Sequence, residues 1–245
     1  MKILAIDTSS KNCSVSITEA EENDFKVIAE KNNEDEKTHS QKLMPLIDEM
    51  FKETKLFLSD IDILVCCVGP GSFTGIRIGV ATTKAFADVR NIPTIGVTSL
   101  ESLSYNISKN GYIIPIINAK NNNAYSAVFK LENGNYTMEQ ESVADSIDVI
   151  LEDFSEFIEA QSKNEEITFV GDGVEVYKEK ILQKFNKFNI NFCENNIQSS
   201  ISLAKCGYDK YKKGIFGDSN FISPIYLRKS QAELALEEKN GIKND

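Results

Sequence analysis

The pattern of apolar residues in this 245-residue chain passes twice through one order of elements: three strands, a helix, a strand and a helix. The first half has predicted strands at 2–7, 13–18, 25–30, 61–68 and 93–97, and predicted helices that begin after Thr38, near Gly75 and after Thr98. The second half has predicted strands at 112–118, 124–131, 135–139 and 167–170, and predicted helices at 146–160 and after Gly173. The halves share no recognisable sequence identity, so only the element order is duplicated. This duplication predicts two α/β lobes built on related sheets.

The expected domain boundaries follow from the duplication. Residues 1–105 form the first lobe, and residues 106–231 form a smaller second lobe whose last elements could pack back on the first. Residues 232–245 form a charged tail.

Composition and charge restrict the class of protein. Hydrophobic residues make up 41% of the chain and charged residues 26%, which is typical of a globular protein. The formal net charge of −10 argues against a free-standing nucleic-acid binder, because neutralising phosphates requires clustered basic residues. The charge does not exclude an acidic subunit of a complex in which other members bind the nucleic acid.

The cysteines and the apolar runs indicate a compartment. The five cysteines are an odd number without a CxxC pair, which favours reduced thiols in the cytosol. An uninterrupted run of only four apolar residues precedes Asp7, which is too short for a signal peptide. No apolar run approaches the length of a transmembrane helix. We therefore expect a cytoplasmic protein that does not bind a membrane.

A glycine-rich loop, 69–75, separates an apolar strand from a helix of small residues. Free N–H groups at a helix N-terminus favour an anion, so Gly71, Ser72 and Thr74 are candidates to contact a phosphate or carboxylate. The spacing fits neither GxGxxG nor the Walker A pattern. A tight turn packed against the rest of the fold is the alternative interpretation.

Three polar positions also have both a functional and a structural interpretation. Asp7, followed by Thr8 and Ser9 at a strand end, could hold a hydrated magnesium ion near a phosphate or could bond turn amides. Asp172, between two glycines, could contact a phosphate or could form part of a strand-to-helix turn. The only histidine, His39, cannot form a metal pair and has no nucleophile elbow, which favours a capping or surface role. The sequence therefore predicts no catalytic residue and no metal site.

Two helix starts have capping-box patterns, Thr38 with Gln41 and Thr98 with Glu101.

The first two helices carry unusual faces. In the first helix the apolar stripe is wider than one core contact needs, and it comprises Leu43, Met44, Ile47, Met50 and Phe51. In the second, the small residues Gly75, Gly79 and Ala81 indicate close approach of another backbone, within the fold or across a subunit interface.

The run GPGSFTGIRIGVATTKAFA, at 69–87, resembles the hallmark of the bacterial tRNA threonylcarbamoyladenosine biosynthesis protein family TsaB, formerly YeaZ. Further matches, in order, are the opening ILAIDTSSKNCSVSI, His39-Ser40 with Leu43 and Pro45, Gly171–Gly173, and Pro224–Arg228. The resemblance covers most of residues 1–228. One segment departs from it: Asn118-Ala119-Lys120, with Asn123, stands where the family commonly has charged partners.

This resemblance implies a fold of two ribonuclease-H-like lobes, in the class of actin, sugar kinases and Hsp70. It implies a noncatalytic paralogue of TsaD, the transferase that places threonylcarbamoyl on the adenosine next to the tRNA anticodon. The implied partners are a TsaD-like protein and a TsaE-like ATPase, with a homodimer when the chain is alone and tRNA bound only through the complex. No cofactor is required, although ATP or ADP is expected to bind weakly at the partner interface.

The resemblance also assigns roles to residues. The partner-binding residues would be His39, Leu43, Met44, Ile47, Met50, Phe51, Gly75, Gly79 and Ala81. The candidate nucleotide-binding residues would be Asp7, Thr8, Ser9, Gly71, Ser72 and Thr74. The alternative is an ATP-dependent phosphotransferase of the sugar-kinase type, with Asp7 and the glycine-rich loop on phosphates. A metalloprotease is disfavoured by the single histidine.

Overall fold

A computed structural model describes residues 1–22, 24–33, 39–161 and 165–228. The predicted capping box of Thr38 and the charged tail at 232–245 lie outside the described residues.

The first sheet has five strands in the order β3-β2-β1-β4-β5. The strands are β1 (Lys2–Asp7), β2 (Cys13–Ala20), β3 (Phe25–Asn33), β4 (Ile63–Cys67) and β5 (Thr94–Val97). β1 pairs with β2 in antiparallel and with β4 in parallel orientation. All five residues of β4 are buried, as expected for an apolar run inside a parallel sheet.

The second sheet repeats this topology. Its strands are β6 (Gly111–Asn118), β7 (Asn123–Glu132), β8 (Asn135–Ser146), β9 (Ile167–Val170) and β10 (Ile190–Phe192), in the order β10-β9-β6-β7-β8. As in the first sheet, an antiparallel three-stranded unit is followed by two parallel strands. The duplication predicted from the sequence is therefore confirmed in the order and direction of the strands.

Six α-helices of the described residues cover these sheets. They are α1 (His39–Thr54), α2 (Phe73–Arg90), α3 (Ser99–Ser104), α4 (Ile147–Ala160), α5 (Gly173–Lys184) and α6 (Ser200–Lys212). α1 and α2 pack on one face of the first sheet, and α4 and α5 pack on one face of the second.

The remaining two helices join the lobes. α6 packs on the other face of the first sheet, and α3 packs on the other face of the second. α3 and α6 also contact each other. The two sheets are thus held together through α3 and α6. α6 comes from the second half of the chain and covers the first sheet, whereas α3 comes from the first half and covers the second.

Local sequence signals explain several boundaries. At the start of α3, Thr98 accepts a hydrogen bond from Glu101 N, and the Glu101 carboxylate accepts one from Thr98 N at 2.8 Å, which confirms the predicted capping box. Between β7 and β8, Asn133 and Gly134 both have positive φ, of 52° and 81°, as a type I′ hairpin turn requires. α2 begins two residues before the predicted Gly75, because Ser72 caps it.

Candidate functional site

The turn after β1 and the glycine-rich loop after β4 pack directly against each other between the lobes. Ser72 N donates to Ser9 O at 2.7 Å, and Thr8 Oγ1 donates to Gly75 O at 2.7 Å. Thr8 and Ser9 are buried. The sequence placed these residues in one nucleotide site, and the structure does bring them together, with their polar groups bonded to one another.

Glycine is required where the loop meets the turn. A Cβ on Gly71 would overlap Ser9 O, and a Cβ on Gly75 would overlap Thr8 O. One turn further along α2, a Cβ on Gly79 would overlap Thr8 Oγ1. The small face of α2 at Gly75 and Gly79 therefore accommodates Thr8 of the protein's own turn.

This geometry corrects part of the predicted partner surface. Gly75 and Gly79 are buried against the first sheet and are not exposed to another subunit. Leu43, Ile47 and Met50 are also buried, in the cluster between α1 and the sheet. Their apolar stripe looked too wide for one contact because it borders both β-strands and α2, which a pattern along one helix cannot reveal.

Other predicted partner residues do face outward. Met44 is 48% exposed, Ala81 is exposed and Phe51 is half-buried. On the same outer face of α2, Ala85 and Val89 are exposed as well.

Asp7 lies at the centre of the buried turn and is 1% exposed. Its Oδ1 accepts hydrogen bonds from Ser9 N at 2.9 Å and from Ser9 Oγ at 2.7 Å. Its Oδ2 has no hydrogen-bond partner among the described residues. Burial raises the pKa of the Asp7 carboxyl above its ordinary value, because removing water disfavours the charged form.

His39 connects α1 to this turn. Its Nε2 lies 2.7 Å from Ser10 O, and because a carbonyl can only accept, Nε2 carries the hydrogen. The histidine therefore fixes the start of α1 beside the glycine-rich loop, where its ring also lies against Gly75.

In the second lobe, the ends of β6 and β9 lie opposite the turn after β1. Asp172 precedes α5, is exposed at the surface and accepts a hydrogen bond from Asn118 N at 2.9 Å. Desolvation raises the pKa of the Asp172 carboxyl above its ordinary value, and the nearby positive charge of Lys11, in the turn after β1, acts in the opposite direction. Residues of opposite charge thus face each other across the gap between the lobes.

The segment 193–199 contacts both lobes, a role that no pattern in the sequence predicted. Gly171 N donates to Asn196 Oδ1 at 3.0 Å in the second lobe. Asn12 Nδ2 donates to Gln198 O at 3.3 Å in the first. The signal that could have indicated this role is the density of Asn, Gln and Ser in the segment, which supplies hydrogen-bonding side chains on both sides.

Two further properties concern the parts of the chain that the structure describes. Within them, no cluster of three or more His, Cys, Asp or Glu side chains could hold a metal ion. Among the helices of these ranges, none combines the length and apolar character needed to cross a membrane.

Two lobes of this repeated topology, with the ends of β1 and β4 meeting between them, define an α/β protein of the actin, sugar-kinase and Hsp70 class. The profile of the family described as "TsaD: tRNA N6-adenosine threonylcarbamoyltransferase" matches residues 26–236. The chain therefore belongs to the broad family that this profile describes.

Relatives identify the branch of that family. The chain is 31% identical to the tRNA threonylcarbamoyladenosine biosynthesis protein TsaB of Bacillus subtilis (strain 168), over 95% of this chain and 96% of that protein. It is 34% identical to TsaB of Escherichia coli (strain K12), over 55% of this chain and 58% of that protein. YeaZ from Pseudomonas aeruginosa has the same fold, with a TM-score of 0.73 at 20% identity, over 92% of this chain and 99% of that one. The chain belongs to the TsaB (YeaZ) family, which confirms the resemblance carried by the glycine-rich run.

Proposed function

We propose that this protein is a noncatalytic subunit of the complex that makes threonylcarbamoyladenosine next to the tRNA anticodon. In that role it binds and stabilises a TsaD-like transferase, a TsaE-like ATPase completes the complex, and tRNA is bound only through the assembly. One contrast in the first lobe carries this proposal. The glycine-rich loop, where a phosphate would bind in an enzyme of this fold, is hydrogen-bonded to the turn after β1, whereas α1 and α2 expose apolar side chains.

The reaction centre supports a noncatalytic role. In this fold class the turn after the first strand and the loop after the fourth would hold phosphates, but here Thr8 and Ser9 are buried against that loop. The single histidine, His39, is bonded to Ser10 O. TsaD-like transferases carry a metal-binding histidine pair, which one histidine cannot provide.

The outer face of α1 and α2 supports partner binding. Met44, Ala81, Ala85 and Val89 are exposed on these adjacent helices. Small side chains permit close approach of another helix, and interface centres are typically depleted of charge. The same face would pair two copies into a homodimer when the transferase is absent.

The test is light scattering on a sizing column, with and without the TsaD-like protein of the same organism. We expect a stoichiometric complex to replace the free homodimer. Ala81→Glu should weaken the complex by at least about tenfold, because it places a charge at an apolar centre. Ala160→Glu, at the exposed end of α4 in the second lobe, is the matched control and should bind like the wild type. Absence of any complex at micromolar concentration would overturn the proposal.

We infer that the role requires no nucleotide, because Asp7, Thr8 and Ser9 already bond to their own chain. Weak binding of ATP or ADP is expected only at the partner interface, beside Ser72 and Thr74, which are exposed at the start of α2. Calorimetric titration of ATP into the free chain and into the complex tests this. Tight binding to the free chain, lost on Asp7→Ala, would contradict it.

A further inference from the structure

The last part of the described chain, Gly217–Arg228, forms a strap along α2. Its short 3₁₀ helix, Ser219–Phe221, contacts α2 and β5. Within α2, Phe73 and Arg77 face the strap, whereas Gly75 and Phe86 face α1. At about 100° of rotation per residue these pairs lie on opposite flanks of the helix. The exposed face of α2 is therefore bordered by α1 on one side and by the strap on the other.

The strap is held rigidly by its main chain and one apolar anchor. Thr94 N donates to Gly217 O at 2.7 Å, and Gly217 N donates to Thr94 O at 3.1 Å, which extends the first sheet beyond β5. Ile225 N donates to Val68 O at 2.8 Å. The side chain of Ile222 is 1% exposed and packs in a cluster with α2 and the end of β4.

Despite this anchoring, the strap leaves large apolar side chains in solvent. Phe221 is 49% exposed, Tyr226 is 41% exposed and Ile225 is 38% exposed. The Tyr226 ring stacks on Phe73 with centroids 4.7 Å apart and planes 4° apart. Arg77 Nε donates to the Tyr226 hydroxyl at 2.7 Å. The exposed Tyr226 ring is thus already held in one orientation, so little conformational entropy would be lost when a partner covers it.

The size of a stable interface indicates what would cover them. Specific interfaces bury about 800 Å² on each partner, or about 20–30 residues a side. α1 has eight exposed residues and α2 has seven, and these do not all point the same way. Only the residues on the outer side of each helix can contact one partner, so an adjoining surface would enlarge the interface. The strap adjoins α2 and adds Tyr, Phe and Arg side chains, the types enriched in interface cores, while Tyr and Arg dominate interface energetics.

We propose that the strap forms the second half of the surface that binds the TsaD-like transferase, with Tyr226 and Phe221 as its anchoring side chains. This inference rests on the proposed function, because it takes the same partner. It goes further in assigning a share of the binding energy to residues near the end of the described chain.

Calorimetric titration with the purified TsaD-like protein tests the proposal on the full chain. Tyr226→Ala and Phe221→Ala should each raise the Kd at least about tenfold. Tyr226→Phe retains the ring stack and should stay within about threefold of the wild type. Leu182→Ala removes a similarly exposed apolar side chain on α5, in the second lobe, and should leave the Kd unchanged.

The outcomes separate the two proposals. If the strap variants bind like the wild type while Ala81→Glu does not, the strap proposal is wrong and the transferase-binding role stands. If the wild type itself does not bind, the proposed function fails and the strap proposal fails with it.

Hydrogen–deuterium exchange provides a second measurement in case a strap variant is unstable. With wild-type protein, peptides covering 217–228 should exchange more slowly in the complex than in the free chain, whereas a peptide from the middle of α4 should be unaffected. Unchanged exchange across the strap would overturn the proposal.

Discussion

Single residues of the turn after β1 pack tightly against α2. Thr8 contacts α2 twice, through a hydrogen bond to Gly75 O and by lying against Gly79. The sequence offered Asp7–Ser9 and the glycine-rich loop as candidates for one nucleotide site, each as a possible phosphate contact. It could not predict that they bond to each other, because the close approach depends on the distance between α2 and β1.

Gly79→Ala should lower the free energy of unfolding by about 1–3 kcal/mol, although alanine favours a helix by up to about 1 kcal/mol. The cause is overlap of the new Cβ with Thr8 Oγ1. A double-mutant cycle with Thr8→Ala checks this by chemical denaturation. Removing Oγ1 should make Gly79→Ala less costly by at least about 1 kcal/mol, and additive effects would contradict the contact.

The stability contributed by Asp7 should fall as the pH rises. Its pKa is raised in the folded state by burial, so the folded state holds the proton more tightly than the unfolded state. The free energy of unfolding therefore falls from the unfolded pKa of about 3.8 upward, until the pH has passed the folded pKa. Asp7→Asn should remove this decline in denaturation series across pH.

Asp148→Asn is the control of opposite sign. Hydrogen bonding to Lys180 lowers the pKa of exposed Asp148, so its small contribution is present above its ordinary pKa and is lost as the pH falls. Parallel pH profiles for the wild type and Asp7→Asn would show that Asp7 does not titrate as inferred.

At the scale of elements, helices with a clear apolar periodicity were predicted and α6 was missed. α6 lies between the sheets, but its buried positions include Ser200, Ser202 and Gly207. Gly207 approaches the side chain of Val65 so closely that a Cβ would need the valine to move. Small and polar residues pack well in this narrow space, yet they produce no hydrophobic periodicity. β10 was missed because it has only three residues at a sheet edge.

The cap of α3 gives a test at this scale. Thr98→Ala should lower the free energy of unfolding by about 0.5–2 kcal/mol, because Glu101 N loses its acceptor at the start of a helix that joins the lobes. Thr98→Ser retains the hydroxyl and should cost much less. Equal losses for the two variants in thermal or chemical unfolding would mean that the methyl group, and not the cap, is responsible.

At the scale of the whole molecule, the element order predicted two related lobes and the structure has them. The way the lobes join was not predictable from periodicity, because it depends on contacts between distant segments such as Ser14 Oγ with Ser200 Oγ at 2.8 Å. α6 covers the inner face of the first sheet with Leu203, Ala204 and Cys206. The first lobe is therefore completed by residues from the second half of the sequence.

A fragment comprising residues 1–110 should accordingly fail to fold alone, because the inner face of its sheet, with Ile3, Ile63 and Val65, would be exposed to water. Circular dichroism and amide NMR dispersion check this. Co-expression with residues 111–245 should restore a folded pair. A well-dispersed spectrum from the fragment alone would show that α6 is dispensable for the first lobe.

The position of α6 on the first sheet also bears on synthesis at the ribosome. β1 and β2 emerge early, but their inner face is not covered until residues from about 200 onward have left the exit tunnel. Contacts that join positions 186 residues apart close late and slowly. A nascent first lobe would expose its inner apolar face for most of translation, so shielding by a chaperone during that interval is expected to limit the yield of folded protein.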